Sequence, residues 1–284
     1  MQWSGGLPYW TVLPRERALY QETCTRSEPG IGAGSTWCPV MRETLYPELS
    51  PQRRSMHGIL GQFQSLGDNC EFGLLQRWEG RETQDLLRLA AIWIPVEDRP
   101  RAIITALSDG FSGLGHPESV RLEPVGAQYP REFIVRETRW NLFLHTGVAE
   151  GDIAPELLRF QQIEGLQRRR RKLVEDMASA RQIFVWKSNV PTSEVDIRDL
   201  VVSLRRYGPN LLLWVNVADQ THPDGSVEYA GHGLLKGYVS KFAPYEAAED
   251  IDFPSWHVMC RNAAALADDL RLQGEWSFHD AVVL

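Results

Sequence analysis

Gln62-Phe63-Gln64-Ser65-Leu66-Gly67-Asp68-Asn69-Cys70-Glu71-Phe72-Gly73-Leu74-Leu75-Gln76-Arg77 reads as a strand, a Gly-Asp-Asn turn and a helix that begins at a cysteine. The first N–H groups of a helix lack intrahelical partners and the macrodipole is positive there. A thiolate at that point is stabilised and its pKa falls. Asn69 adds a side-chain amide that can donate to charge developing on a carbonyl oxygen, beside the backbone N–H groups. The competing interpretation is a plain capped turn with Cys70 as a small apolar filler, since free cysteine is among the most buried residue types.

Working outward, residues 101–107 read as a helix, and 120–125, 132–136 and 140–144 as strands. The last two are joined by Glu137-Thr138-Arg139 as a hairpin would be. Residues 153–180 read as a long helix on the spacing of Leu157, Leu158, Ile163, Leu166, Leu173, Val174 and Met177. Then come a strand at 182–186, a helix at 194–207 stopped by Gly208-Pro209, an apolar strand at 211–217 and a final helix at 256–270. Upstream, 83–89 extends a helical pattern and 91–95 is a short apolar run ended by proline. The expected fold is therefore α/β, or α+β, with a mixed sheet, a helix starting at Cys70 and strand-helix-strand units in the C-terminal half. Order is expected to begin near Ile59. Residues 1–55, rich in Pro, Gly, Ser and Thr, read as a poorly ordered leader ahead of a single domain spanning 56–284.

The 284 residues are 43% apolar and 24% charged, as in ordinary globular proteins. No stretch reaches the ~18 apolar residues of a membrane helix. The start has no basic segment followed by an apolar one, so the expected location is cytoplasmic. Thirty Lys and Arg against 37 Asp and Glu give a net charge of −7, which argues against nucleic acid as a partner. The four cysteines, Cys24, Cys38, Cys70 and Cys260, form no C-x-x-C pair. They are expected to be reduced thiols, with no structural zinc, disulfide framework or cofactor. The Arg168-Arg169-Arg170-Arg171 run reads as a solvated face before it reads as an anion site.

A thiol nucleophile needs a general base and a group to orient it. Of the seven histidines, His145 is the candidate base, because it follows the strand at 140–144 and precedes Thr146-Gly147. The orienting group is open among Asn189, Asn216, Asp196 and Asp219, with Asn189 placed after the strand at 182–186. Lys187-Ser188 beside it is a polar cluster at a strand end, either a solvated loop or a Ser-Lys dyad.

Ser65-Leu66-Gly67-Asp68-Asn69-Cys70, with Gln76-Arg77 closing the helix, resembles the opening motif of a bacterial family described as papain-like cysteine peptidases, a Ser-Leu-Gly, two variable residues and a cysteine. The likeness continues through a strand ending in His145 and a basic helix leading into Ile183-Phe184-Val185-Trp186, and covers roughly residues 60–217. It implies a nucleophile at Cys70 and a base at His145. The family's aromatic-Asp-Trp segment is replaced here by Ala90-Ala91-Ile92-Trp93-Ile94, and Thr146 stands where an acidic residue often follows the histidine. Gly67-Asp68-Asn69 is also similar to the Gly-Asp-Ser block of lipase-like esterases, with Asn69 at the serine position.

Two functions follow as expectations. One is a cysteine-dependent hydrolase or acyl transferase acting on a peptide, acyl or glycan substrate. The other is a non-catalytic glycan-binding or accessory module, suggested by ten tryptophans against ten phenylalanines, among them Trp78, Trp93, Trp140, Trp186, Trp214 and Trp256. Most of these are expected to be core residues, because indoles are usually largely buried.

Overall fold

The structure, a computed structural model, describes residues 51–66, 71–81, 98–244 and 247–273. The leader through residue 50, the segments at 83–89 and 91–95, and Asn69 and Cys70 lie outside the described residues.

The described elements are helix α1 (Pro51–Leu60), strand β1 (Phe63–Ser65), helices α2 (Glu71–Trp78) and α3 (Arg99–Ser108), and strands β2 (Val120–Val125), β3 (Glu132–Glu137) and β4 (Leu142–Ala149). Then follow α4 (Pro155–Ser179), β5 (Ile183–Trp186), α5 (Glu194–Arg205), β6 (Leu211–Val217), β7 (Val227–Gly231), β8 (Leu234–Val239) and α6 (Phe253–Gln273). Helix and sheet alternate as an α/β protein should, and the first described helix already spans Pro51–Leu60, ahead of the Ile59 at which order is expected to begin.

The main sheet has the order β1-β5-β6-β8-β7. Its first four strands run parallel, and β7 closes one edge antiparallel to β8. Helices cover both faces. Ile183, Val185, Leu211, Leu213, Val215 and Leu235 share a core with Met56 and Leu60 of α1, Phe72 and Leu75 of α2, and Trp256, Met259 and Ala263 of α6. Phe184, Trp186 and Leu212 point the other way, into a core with α3, α4 and α5. That is why β5 is apolar at every position and buried at every position, with no polar alternation. A second sheet, ordered β2-β3-β4 and antiparallel throughout, adds Val120, Val135 and Leu142 to the second core.

Two expectations are corrected. His222 and His232 read from sequence as lying in a Gly/Pro-rich loop, yet the chain around His232 forms β7 and β8 about the turn Gly231-His232-Gly233, three consecutive residues with positive φ. Gly237 inside β8 is what α6 requires, since a Cβ there would lie 2.9 Å from Met259 Sδ. The strand expected at 140–144 instead begins at Leu142 and runs to Ala149. Trp140 is held in the turn by its own bonds, its backbone N–H donating to Glu137 Oε2 at 2.8 Å and its indole N–H to the Ser112 carbonyl at 3.2 Å. His145 is consequently interior to β4, opposite Ile134, and not at a strand end.

Asn210, 1% exposed, closes two helices at once. Its side-chain amide donates to the Met177 carbonyl at the end of α4 and to the Leu204 carbonyl at the end of α5, each at 2.8 Å. Removing it leaves buried helix-end carbonyls without donors, each a cost of about 1–3 kcal/mol. Asn210→Ala is expected to lower unfolding free energy by about 3 kcal/mol in urea titration, far more than an exposed asparagine would.

Candidate functional site

In parallel sheets polar side chains gather beyond the carboxyl ends of the strands, where the apolar layers stop. Pairing of Ser65 with Val185 brings the exits of β1 and β5 side by side. From those exits come Glu71, the first residue of α2, and Lys187, the first residue beyond β5. They form an ion pair of 2.5 Å between Lys187 Nζ and Glu71 Oε2, with side chains 2% and 0% exposed. The other Glu71 oxygen accepts from the indole N–H of Trp256 at 2.9 Å. Lys187 also donates to Asn189 Oδ1 and lies 4.6 Å from the centre of the Phe242 ring. Asn189 in turn donates its amide to the Ala243 carbonyl at 2.8 Å. Four segments of chain thus converge on one buried charge pair, one residue from Cys70 in sequence. The Lys187 ammonium is committed to Glu71 and Asn189, while Ser188 Oγ accepts from the Val190 N–H at 3.1 Å. A carboxylate-bound ammonium does not serve as the base of a Ser-Lys dyad.

His145 carries a different partner from those expected. Its Nδ1 is 3.1 Å from Glu132 Oε2, and the second Glu132 oxygen accepts from the Gly147 N–H at 2.9 Å. The geometry comes from an irregularity in the β3/β4 ladder. Between the pairs Ile134↔His145 and Glu132↔Ala149, β3 has Phe133 alone while β4 has Thr146, Gly147 and Val148. Gly147 takes φ +69 there, and Thr146 Oγ1 donates to the Phe133 carbonyl. The extra length folds β4 so that Gly147 N–H and the imidazole face one carboxylate. Burial acts to raise the Glu132 carboxyl, but the His145 and Gly147 hydrogen bonds and the charge of the imidazole outweigh it, holding the group below its ordinary value.

Each residue expected to orient the base is engaged elsewhere. Asn189 faces Lys187 and Ala243, and Asn216 donates to the Trp214 carbonyl of its own strand at 3.3 Å. Asp196 accepts from Ser193 and pairs with Arg101, and Asp219 binds Thr221 and His222. Glu132 was legible in principle. A hairpin register that sets His145 against Ile134 places Glu132 two residues along the same strand, on the same face.

A second carboxylate-imidazole pair went unnoticed in the sequence. Past the end of β6, His222 Nδ1 lies 3.0 and 3.1 Å from the two Asp219 oxygens. These bonds and that of Thr221 hold the Asp219 carboxyl well below its ordinary range. The His222 ring stacks on Tyr238 with centroids 4.3 Å apart. Burial and the nearby Glu228 carboxylate push the Tyr238 hydroxyl up to about 12.

Cys260, fully buried in α6, has its thiol pushed far up by burial and is an inert core residue. Trp186 and Trp256 are core, Trp140 and Trp214 are partly buried against it, and Trp78 is 62% exposed. Among the described residues no group of three or more His, Cys, Asp and Glu could hold a metal ion, and no helix is long and apolar enough to cross a membrane. No family model, curated protein or solved structure matches the chain.

The Glu132–His145 pair generates a pH prediction. A carboxyl whose native pKa lies below its unfolded value of about 4.5 contributes stability fully above that value and loses it as pH falls through the native one. Glu132→Gln is expected to cost on the order of 1 kcal/mol at neutral pH and to flatten the acid limb of a melting-temperature profile. An acid limb identical to that of the parent protein would rule the contribution out.

Proposed function

We propose that the chain is a cysteine-dependent hydrolase or acyl transferase of the cytoplasm, with Cys70 as nucleophile and His145 as general base. The observation that supports it most is the Glu132–His145 pair. A carboxylate bound to Nδ1 holds the imidazole in one orientation and leaves Nε2 to work, the arrangement a thiol nucleophile needs. The position of Cys70 in sequence, between the end of β1 and the first residue of α2, is the second support.

In this mechanism His145 takes the Cys70 proton as sulfur attacks the substrate carbonyl carbon. Asn69 and the Cys70 backbone N–H donate to the oxyanion that forms. Collapse breaks the bond to the leaving group, which takes the proton from the imidazolium, and leaves a thioester on Cys70. Water then releases an acid, or an amine or alcohol takes the acyl group, with His145 again accepting the proton of the attacking group. Glu132 replaces Asn189 as the orienting group.

p-Nitrophenyl acetate supplies a generic acyl donor for the test. A burst of about one p-nitrophenol per chain is expected, lost in Cys70→Ser and reduced at least about a hundredfold in rate in His145→Ala. The double variant should be scarcely worse than either single one, because groups acting as a unit are non-additive. Additive losses would separate the two residues, and a burst surviving Cys70→Ser would end the proposal.

A further inference from the structure

We infer that the outer edge of β2 is the surface on which a second copy of this chain pairs, joining the three-stranded sheets of the two copies into one across a two-fold axis. Among the described residues β2 is the end strand of its sheet and is bonded on one side only, to β3. The Thr138 N–H donates to the Ser119 carbonyl, which fixes the alternation along the strand. Arg121, Glu123 and Val125 turn their backbone groups toward β3, while Val120, Leu122 and Pro124 turn theirs outward. Two points of the outward row are already closed. Pro124 has no N–H, and the Val120 carbonyl accepts from Arg159 Nε at 3.0 Å. A proline and a covering side chain ordinarily protect an edge strand. Here they fall on the two groups that one particular pairing leaves without a role.

That pairing is antiparallel and centred on Leu122, so that Leu122 faces Leu122 of the second copy and Val120 faces Pro124. The Leu122 N–H and C=O groups bond reciprocally, and the Val120 N–H donates to the Pro124 carbonyl. The Val120 carbonyl, opposite a nitrogen with no hydrogen, keeps Arg159. The side chains fit the same register. Within one copy Arg121 is set opposite Arg136, and it meets no carboxylate among the described residues, because Glu123 is the partner of Arg136 at 3.4 Å. In the paired sheet each Arg121 stands directly opposite Glu123 of the second copy, and opposite charges so placed attract. Centring the pairing on Arg121 or on Glu123 instead would set like charges against each other. On the other face Val120 is buried and Leu122 packs on the core under α3, α4 and α5, and alternation puts Pro124 on that face too. A groove of about 680 Å³ opens there, lined by Pro117, Val120, Leu122, Pro155 and Arg159 among others. The exposed Pro124 ring of the second copy, brought opposite Val120, is the group that fills it, and the two-fold axis repeats the contact.

Sedimentation equilibrium of the full chain over a concentration series measures the association, and amide hydrogen exchange locates it. A monomer–dimer equilibrium is expected, with exchange at the Val120 and Leu122 amides slowing as concentration rises. Arg121→Glu and Glu123→Arg each set like charges opposite one another at both symmetry-related positions, and each is expected to weaken the dimer at least about tenfold. The double variant restores opposite signs and should associate close to the parent level. Damage unrelated to pairing would leave the double variant as weak as either single one, and that result overturns the inference. A parent chain that remains a monomer up to about 0.5 mM overturns it as well, whatever other extended peptide the β2 edge then accepts. So does a dimer indifferent to all three variants. Leu122→Pro removes an outward N–H and leaves the ladder to β3 intact, so it is expected to abolish association. The charge exchanges, on exposed or half-exposed positions, carry the test if that variant loses the parent circular dichroism spectrum.

Discussion

The parallel strands β1, β5, β6 and β8 are packed between apolar helices on both sides, and that double burial governs where chemistry can sit. β5 has no solvated face, so Ile183, Phe184, Val185 and Trp186 alternate between two cores instead of between core and water. Polar side chains are displaced to the first positions past the strand ends, where Lys187, Asn189 and Asp219 all stand. The helices conform to the same constraint. Gly237 gives up its side chain so that Met259 of α6 can reach the sheet, and Asn210 spends its amide on the ends of α4 and α5.

The described charge pairs divide by exposure, and exposure decides what each can do. Glu71 and Lys187 are sealed from water and held by each other, so the pair acts as a fixed element. His145 has a side chain 40% exposed beside a Glu132 side chain 18% exposed. Its imidazole is open to solvent while its orientation is held from one side. A general base needs that mixture of access and constraint, and neither a wholly buried nor a freely rotating histidine provides it. In the proposed mechanism the proton transfer is therefore given to His145 and the static charge to Lys187 on grounds of burial and not of residue type.

Much of this was legible. Periodicity and punctuation gave the long α4, the β5-α5-β6 unit and the β3/β4 hairpin, because each is a local pattern with a strong apolar signal. Three features were not, each for a physical reason. β7 and β8 are short and carry Gly231, Gly237 and, between them, Gly233, so their composition is that of a loop even though pairing of β8 to β6 and of β7 to β8, with packing of α6, makes them strands. The interior position of His145 depends on the extra residues of β4 at Phe133, an irregularity of pairing that no single-strand pattern records. Lys187 after an apolar run looks like the start of solvated loop, since lysine is almost never fully buried unless paired. Its partner Glu71 is over a hundred residues away in sequence, and only the parallel β1/β5 contact brings them together.

The cysteines show the same dependence of chemistry on surroundings. Cys260 sits mid-helix among Trp256, Ala263 and Ala264, where no donor or cation favours a thiolate and burial drives the thiol far above its ordinary value. Cys70 precedes Glu71, whose carboxylate occupies the start of α2 and is itself neutralised by Lys187. An uncompensated glutamate there would cancel the favourable field of the helix terminus. With Lys187 in place the Glu71 carboxylate is compensated, and the start of α2 keeps that field. A lysine more than a hundred residues further along the chain is thus what allows a fully buried acidic residue to stand at the first position of α2.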